Sequence, residues 1–302
     1  MQTLFSRREL LRTAAASAAA LLTLPRFAGS TGDPDQARLN AWAKALRSEG
    51  LVGLDTPLGA SAVRVGELTV GSPYQPYTLE SYLRAGGSPS RTEPLTLSLT
   101  HFDCVTLVEA CLAVARVADK RVKPSWKAFG REVERMRYRG GKRGGYSSRL
   151  HYLSEWISDG ASRGLVRDLG MELGGVDDVR PLRFMTEHRG SYPALADEGV
   201  FGEIAAMERR LDGMPRRVIP TKRIPLVVNR IETGDVLAFA TAIPGLDVTH
   251  TAFAYRGKDE VLRVLHAPLS GGVVEITRTT LPEYVAAIKQ STGILVARPL
   301  RA

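Results

Sequence analysis

Cysteine is scarce in this 302-residue chain, which has two, Cys104 and Cys111. They fall seven residues apart in a stretch that reads as one helix, which separates them by about 10.5 Å at a rise of about 1.5 Å per residue. A bond between them would require the helix to unwind, so an internal disulfide and a dithiol redox pair are both disfavoured. A bilayer-length apolar run is missing too: the one from Thr13 to Leu24 offers about 12 residues where a span needs roughly 20. There is no repeat at solenoid spacing and no low-complexity tract beyond the N-terminus. What remains is an ordinary globular composition, 44% hydrophobic, sufficient for a proper core.

The N-terminus carries Ser6-Arg7-Arg8-Glu9-Leu10-Leu11-Arg12 ahead of that short apolar run. Paired arginines before a brief hydrophobic segment form a twin-arginine export signal, expected to occupy residues 1–29 and to be cleaved near Ala28 to Ser30. The remaining 30–302 is expected to be one exported catalytic domain, periplasmic or in the cell envelope, with no stable membrane span once the signal is gone. Its formal charge falls from +9 to +6 when residues 1–29 leave. A moderately basic exported protein suits an anionic polymer such as the bacterial wall, and nucleic acid is not an expected partner in that compartment.

Phe102-Asp103-Cys104-Val105-Thr106 organises the rest. An unbroken apolar stretch follows, so a helix is expected from Cys104 to Ala118, with Asp103 as its N-cap. That places Cys104 where the positive end of the backbone dipole favours a thiolate, and makes it the candidate nucleophile. A small buried hydrophobe is the alternative for any free cysteine, and Cys111, mid-helix, is assigned to the core. A helix is expected from Pro34 to Glu49, with Leu39, Trp42, Ala43 and Leu46 on one face. Val63 to Val70 alternates and reads as a strand, as does Leu95 to Leu99. Tyr74 and Tyr77, near the Gly71-Ser72-Pro73 turn, are candidate site residues, with packing as the alternative.

Beyond a helix from Ser125 to Met136, the segment Arg137 to Arg149 carries five basic residues around two glycine pairs. It reads as a mobile basic loop able to meet a carboxylate or sugar polymer. Ser148 to Ile157 is expected to be helical, leaving Arg149, His151 and Tyr152 off its core face. Residues 120–225 thus form an insertion between the cysteine helix and a C-terminal β region. That region, Val236–Ala240, Val248–Tyr255, Val261–His266 and Gly272–Ile276, has hairpin-length gaps and reads as an antiparallel meander. A helix from Leu281 to Lys289 and a strand from Gly293 to Arg298 complete the chain.

A thiolate nucleophile needs a base, and the base needs an orienting partner. His250 and His266 each lie eight residues from a turn counted at about residue 258, and so come out as cross-strand neighbours. The small Ala252 and Ala254 share the His250 face, which leaves room for the cysteine helix. A zinc site from the same three residues is the competing chemistry, but it lacks short ligand spacing and needs a fourth ligand.

Asp103-Cys104 at a helix start, Gly234-Asp235-Val236-Leu237-Ala238-Phe239 leading to His250, and Leu265-His266-Ala267 together resemble the NlpC-type cell-wall cysteine peptidases. Phe102-Asp103-Cys104-Val105-Thr106, Tyr146 to Tyr152 with Trp156, Phe184-Met185-Thr186, and Leu246-Asp247-Val248-Thr249-His250 resemble their N-acetylmuramoyl-L-alanine amidase-like branch. The resemblance spans about Trp42 to Pro299. It implies an α+β, papain-like core: a nucleophile-bearing helix packed on an antiparallel sheet, with extra helices, no cofactor and no metal. It also implies catalytic Cys104, His250 and His266, and a site-lining Tyr74; Arg149, His151 and Tyr152 are added as substrate-binding candidates. The implied reaction is hydrolysis, in peptidoglycan or soluble anhydro-type muropeptides, of the amide between N-acetylmuramic acid and L-alanine. Stem-peptide endopeptidase activity and non-catalytic wall binding are the alternatives.

Overall fold

Among the described residues, eight β-strands, all paired antiparallel, build one sheet: β1 (Val166–Asp168), β2 (Val176–Asp178), β3 (Arg216–Pro220), β4 (Val236–Thr241), β5 (Val248–Arg256), β6 (Leu262–His266), β7 (Glu275–Ile276) and β8 (Ser291–Pro299). The computed structural model describes residues 33–120, 123–269 and 272–301, and the expected export signal lies outside them. The strand order is β2-β3-β8-β4-β5-β6-β7, with β1 also on β8. β4 through β7 form the expected meander, and β8 returns beside β4, whose six residues are all buried.

The longer helices are α1 (Pro34–Ser48), α2 (Leu58–Thr69), α3 (Cys104–Asp119), α4 (Trp126–Arg137), α5 (Leu153–Ser162), α6 (Glu198–Leu211) and α7 (Leu281–Ala287). α3 is the cysteine helix. It is buried continuously from Leu107 to Ala118, as a helix apolar on every side must be. Leu39, Leu58, Leu107, Cys111 and Phe129 of the surrounding helices share a core with Ala238, Phe253 and Leu265 of the sheet. The opposite face of the sheet packs Leu237, Phe239, Ala252 and Val264 against Leu281 and Val285 of α7. A third cluster gathers Tyr146, Tyr152, Leu195, Ile204 and Met207 around α6. Among the described residues no helix is long and apolar enough to cross a membrane.

Three local expectations are corrected. Val63 to Thr69 belongs to α2, with Val70 as its C-cap, and the buried positions of α2 include Leu58, Ser61, Ala62, Val65, Gly66 and Thr69 at helical spacing; the Val63/Val65 alternation fits either period over so short a window. Packing decides for the helix. Gly59 meets the Gly234 backbone, and a Cβ on Gly234 (φ +90) would lie 2.1 Å from the Gly59 carbonyl carbon. Leu95 to Leu99 is irregular, because its backbone is claimed by side chains: Arg137 donates to the Thr96 carbonyl at 2.7 Å, Arg38 to the Leu99 carbonyl at 2.8 Å, and Leu99 N–H to Asp35 at 2.7 Å. α5 starts at Leu153 rather than Ser148, since Arg149 forms an isolated bridge with Tyr138 and Tyr146–Ser148 is a separate 3-10 turn.

The basic segment is also more committed than its composition suggests. Arg137 pairs with Glu109, Arg139 with Glu155, Arg143 with Glu134 and Arg149 with Glu80. Both members of the Arg137–Glu109 pair are buried, at 4% and 2% exposure, and the pair joins α4 to α3. These charges hold the domain together.

Candidate active site

The start of α3 is fixed by a reciprocal capping box. Asp103 accepts the Thr106 N–H at 2.7 Å, and the Thr106 hydroxyl accepts the Asp103 N–H at 2.8 Å, satisfying two amides that the helix leaves unpaired. Cys104 therefore sits at the first helical position with its side chain partly exposed. Its thiol is not acidic in this resting arrangement. Burial and then the adjacent Asp103 push it up to about 12, outweighing the backbone N–H groups of Thr251, Val105 and Cys104 itself. The helix-start dipole alone does not make a thiolate here, because burial opposes it and the capping carboxylate adds to that opposition.

The Thr251 N–H directed at the sulfur brings the thiol to β5 beside His250. It is available because the β5–β6 ladder begins only at Phe253, paired with Leu265, so this edge of β5 lies beyond β6. The same register places His250 and His266 as diagonal neighbours rather than directly opposed; a turn one residue later than counted shifts the pairing by two and keeps both side chains on one face. His250 Nε2 lies 2.8 Å from His266 Nδ1, with the rings edge to face at 5.0 Å. Burial lowers His250 to about 3, helped by His266, and lowers His266 to about 4. Thiol and imidazoles rest neutral.

The expected approach of the cysteine helix over Ala252 and Ala254 is corrected. Those alanines face the α7 core, and α3 packs on the face bearing Phe253 and Leu265. His250 stacks on Phe239 of the α7 side, 5.8 Å between ring centroids. The neighbour that the thiol has on β5 is the N–H of Thr251, the residue after His250.

Tyr74 is brought to this site by the main chain. It bridges in parallel to Phe102, two residues before Cys104, while Pro73 bridges to Val273. Gln75 N–H donates to the Phe102 carbonyl, Phe102 N–H to the Pro73 carbonyl, Tyr74 N–H to the Gly272 carbonyl and Val274 N–H to the Ser72 carbonyl, at 2.8–3.1 Å. A strap at 71–75 thus joins the segment leading to Cys104 with the segment following His266. Tyr77, at positive φ, lies under the Arg84 guanidinium.

The remaining candidates lie in the wall of the domain. Arg149 is 4% exposed, donates to Glu80 at 2.8 Å and lies over the Tyr146 ring. His151 Nε2 is 2.9 Å from the Tyr146 carbonyl, and burial, reinforced by Arg149, keeps it neutral. Tyr152, 2% exposed, donates to Glu208 at 2.6 Å. Among the described residues no group of three or more His, Cys, Asp or Glu is placed to hold a metal.

Two neighbours of His266 carried no signal of their own in the sequence. Tyr284 of α7 sets its hydroxyl 3.4 Å from His266 Nδ1, and Glu275 of β7 pairs across the ladder with His266. Tyr284 was readable as a helix position and Glu275 as a strand position, but only the β6–β7 register and the seating of α7 turn them towards the histidine.

The model of the AmiA-like family, described as N-acetylmuramoyl-L-alanine amidase-like, matches residues 64–294. Among solved structures, an N-acetylmuramoyl-L-alanine amidase from Bacteroides uniformis ATCC 8492 is similar at 30% identity and a TM-score of 0.72, over 80% of this chain and 99% of its own. A Bacteroides fragilis protein provisionally named a xylanase is similar at 33% identity and a TM-score of 0.70, over 78% and 99% of the respective chains. A Legionella pneumophila protein at 17% identity and a TM-score of 0.62 covers 88% of this chain and 94% of its own, and shares the fold. No curated protein matches the sequence.

Proposed function

Because the chain belongs to the AmiA-like, N-acetylmuramoyl-L-alanine amidase-like family of cell-wall hydrolases, we propose that it is a cysteine hydrolase on a papain-like, NlpC-type scaffold. It cleaves the amide between the lactyl group of N-acetylmuramic acid and L-alanine, and acts after export. Cys104 is the nucleophile, His250 the base and His266 the residue that orients the base. The observation that carries this reading is the chain of contacts from Cys104 to the β5 edge at Thr251 and from His250 Nε2 to His266 Nδ1.

With Nε2 engaged by His266, Nδ1 is the His250 nitrogen left to exchange a proton with the thiol. Since both groups rest neutral, proton transfer accompanies attack: the sulfur adds to the lactyl carbonyl as His250 takes the thiol proton. The backbone N–H of Cys104, at a helix start, holds the oxyanion. His250 then returns the proton to the leaving amine of L-alanine. Water, deprotonated by His250, next attacks the thioester, and the thiol regains the proton on release. Tyr74 lines the approach to the sulfur. Arg149, His151 and Tyr152 act through the wall that supports that approach rather than by touching substrate. A glycosidase would instead require two carboxyl groups flanking the scissile bond, whereas this centre is a thiol and two imidazoles.

The test is product mass after incubating wild type and Cys104→Ala with a defined muropeptide and with whole wall. Separated sugar and intact stem peptide, with wild type alone, support the amidase. Shortened peptide still attached to sugar shifts the reading to an endopeptidase. Inertness of both proteins on both substrates refutes a hydrolase and leaves wall binding.

A further inference from the structure

We propose that Glu275 is a positioning residue of this site, which accepts the Nε2–H of His266 and so sets the direction of every proton along the two-histidine chain. The inference rests on reading His250 as the base.

His266 is 1% exposed and its Nε2 is buried without a hydrogen-bond partner. Glu275 Oε1 stands 3.6 Å from that nitrogen, on a side chain 48% exposed. The backbone on both sides of Glu275 is pinned: Val274 N–H donates to the Ser72 carbonyl at 2.8 Å and Thr277 N–H to the Val264 carbonyl at 2.9 Å. Only the glutamate side chain has to turn to close the gap. The groups facing His266 are His250 from β5, Tyr284 from α7 and Glu275 from β7, and Glu275 and Cys104 both act on the Tyr284 hydroxyl.

Two neutral imidazoles joined nitrogen to nitrogen have two proton registers. In one, His266 carries its proton on Nε2 and accepts at Nδ1 from His250 Nε2–H, so that His250 Nδ1 presents a lone pair to the thiol. In the other, His266 donates from Nδ1, His250 Nδ1 bears the proton and cannot serve as base, and a lone pair at His266 Nε2 faces the glutamate oxygens. The carboxylate favours the first and repels the second. Tyr284 reinforces it, because its hydroxyl can donate to His266 Nδ1 only when that atom is an acceptor.

The experiment reads tautomers directly, by long-range proton–nitrogen NMR of histidine-labelled wild type, Glu275→Gln and Glu275→Leu, alongside kcat and KM on a muropeptide. Wild type is expected to show Nε2–H on both His250 and His266. In Glu275→Leu, His266 should shift towards Nδ1–H and kcat should fall about 10-fold or more with little change in KM, because a misdirected tautomer disables the base. Glu275→Gln keeps an acceptor oxygen and should retain most of both signals. An unchanged tautomer in Glu275→Leu, a wild type with Nδ1–H on His266, or a tautomer shift with full kcat overturns the proposal. If wild type does not turn over muropeptide, the functional reading fails while the NMR arm still decides the role of Glu275.

Discussion

His266 should make the fold sensitive to acid, and the size of the effect follows from its burial. The buried imidazole titrates at about 4 in the folded protein against an ordinary 6.5, so as pH falls the unfolded chain takes up the proton first. Its contribution is therefore complete above about pH 6.5 and is lost progressively towards pH 4. Between pH 8 and pH 5 the loss comes to about 2 kcal/mol, at about 1.4 kcal/mol per unit between the unfolded value and the working pH. The measurement is urea unfolding of wild type and His266→Gln at half-unit steps from pH 8 to pH 5, followed by tryptophan fluorescence. Groups away from His266, including the neutral His151, appear in both proteins and cancel in the difference, and His250 stays low in both because burial is the larger cause of its shift. The stability of wild type relative to the variant should fall by about 2 kcal/mol over that range. A difference that stays flat refutes the buried, neutral histidine. A difference of opposite sign would mean that His266 folds as a cation paired with Glu275, and would overturn the proton register deduced for the site.

Asp103→Asn should lower the pH at which Cys104 becomes alkylated by iodoacetamide, since the carboxylate beside it helps to hold the thiol up and asparagine keeps a capping oxygen; an unmoved profile would leave burial as the whole cause. Glu109→Ala leaves the buried Arg137 without its carboxylate and should cost about 3–5 kcal/mol in urea unfolding. Gly234→Ala places a Cβ into the Gly59 backbone at a positive φ and should yield little folded protein on expression, whereas Gly202→Ala, with open space around it, should express normally.

The α+β class, α3 with its cap, the meander and the strand positions of His250 and His266 were legible because they rest on local rules: capping chemistry, unbroken apolar spacing and hairpin-length gaps. The register of β5 and β6 was legible only to within two residues, since nothing in Arg256 to Val261 fixes the turn centre from composition. Parity survived that error, which is why His250 and His266 remained partners. The face of the sheet met by α3 was not legible. Alternation shows that two faces exist, and only the packing of α7 against Ala252 and Val264 tells which is which. Arg149 and Tyr152 show a related limit, because a polar residue off the core face of an expected helix reads as exposed until its partners, Glu80 and Glu208, arrive from distant segments.

The strap at 71–75 has a consequence for timing. Its main-chain partners are Phe102 on one side and the stretch from Gly272 to Val274 on the other, so the surroundings of Cys104 close only when the segment leading into β7 is in place. A ribosome-bound chain that has released α3 holds Cys104 on a helix start without His250 or His266. The surroundings of Cys104 therefore assemble through long-range contacts, which form late because the intervening chain must first be brought together.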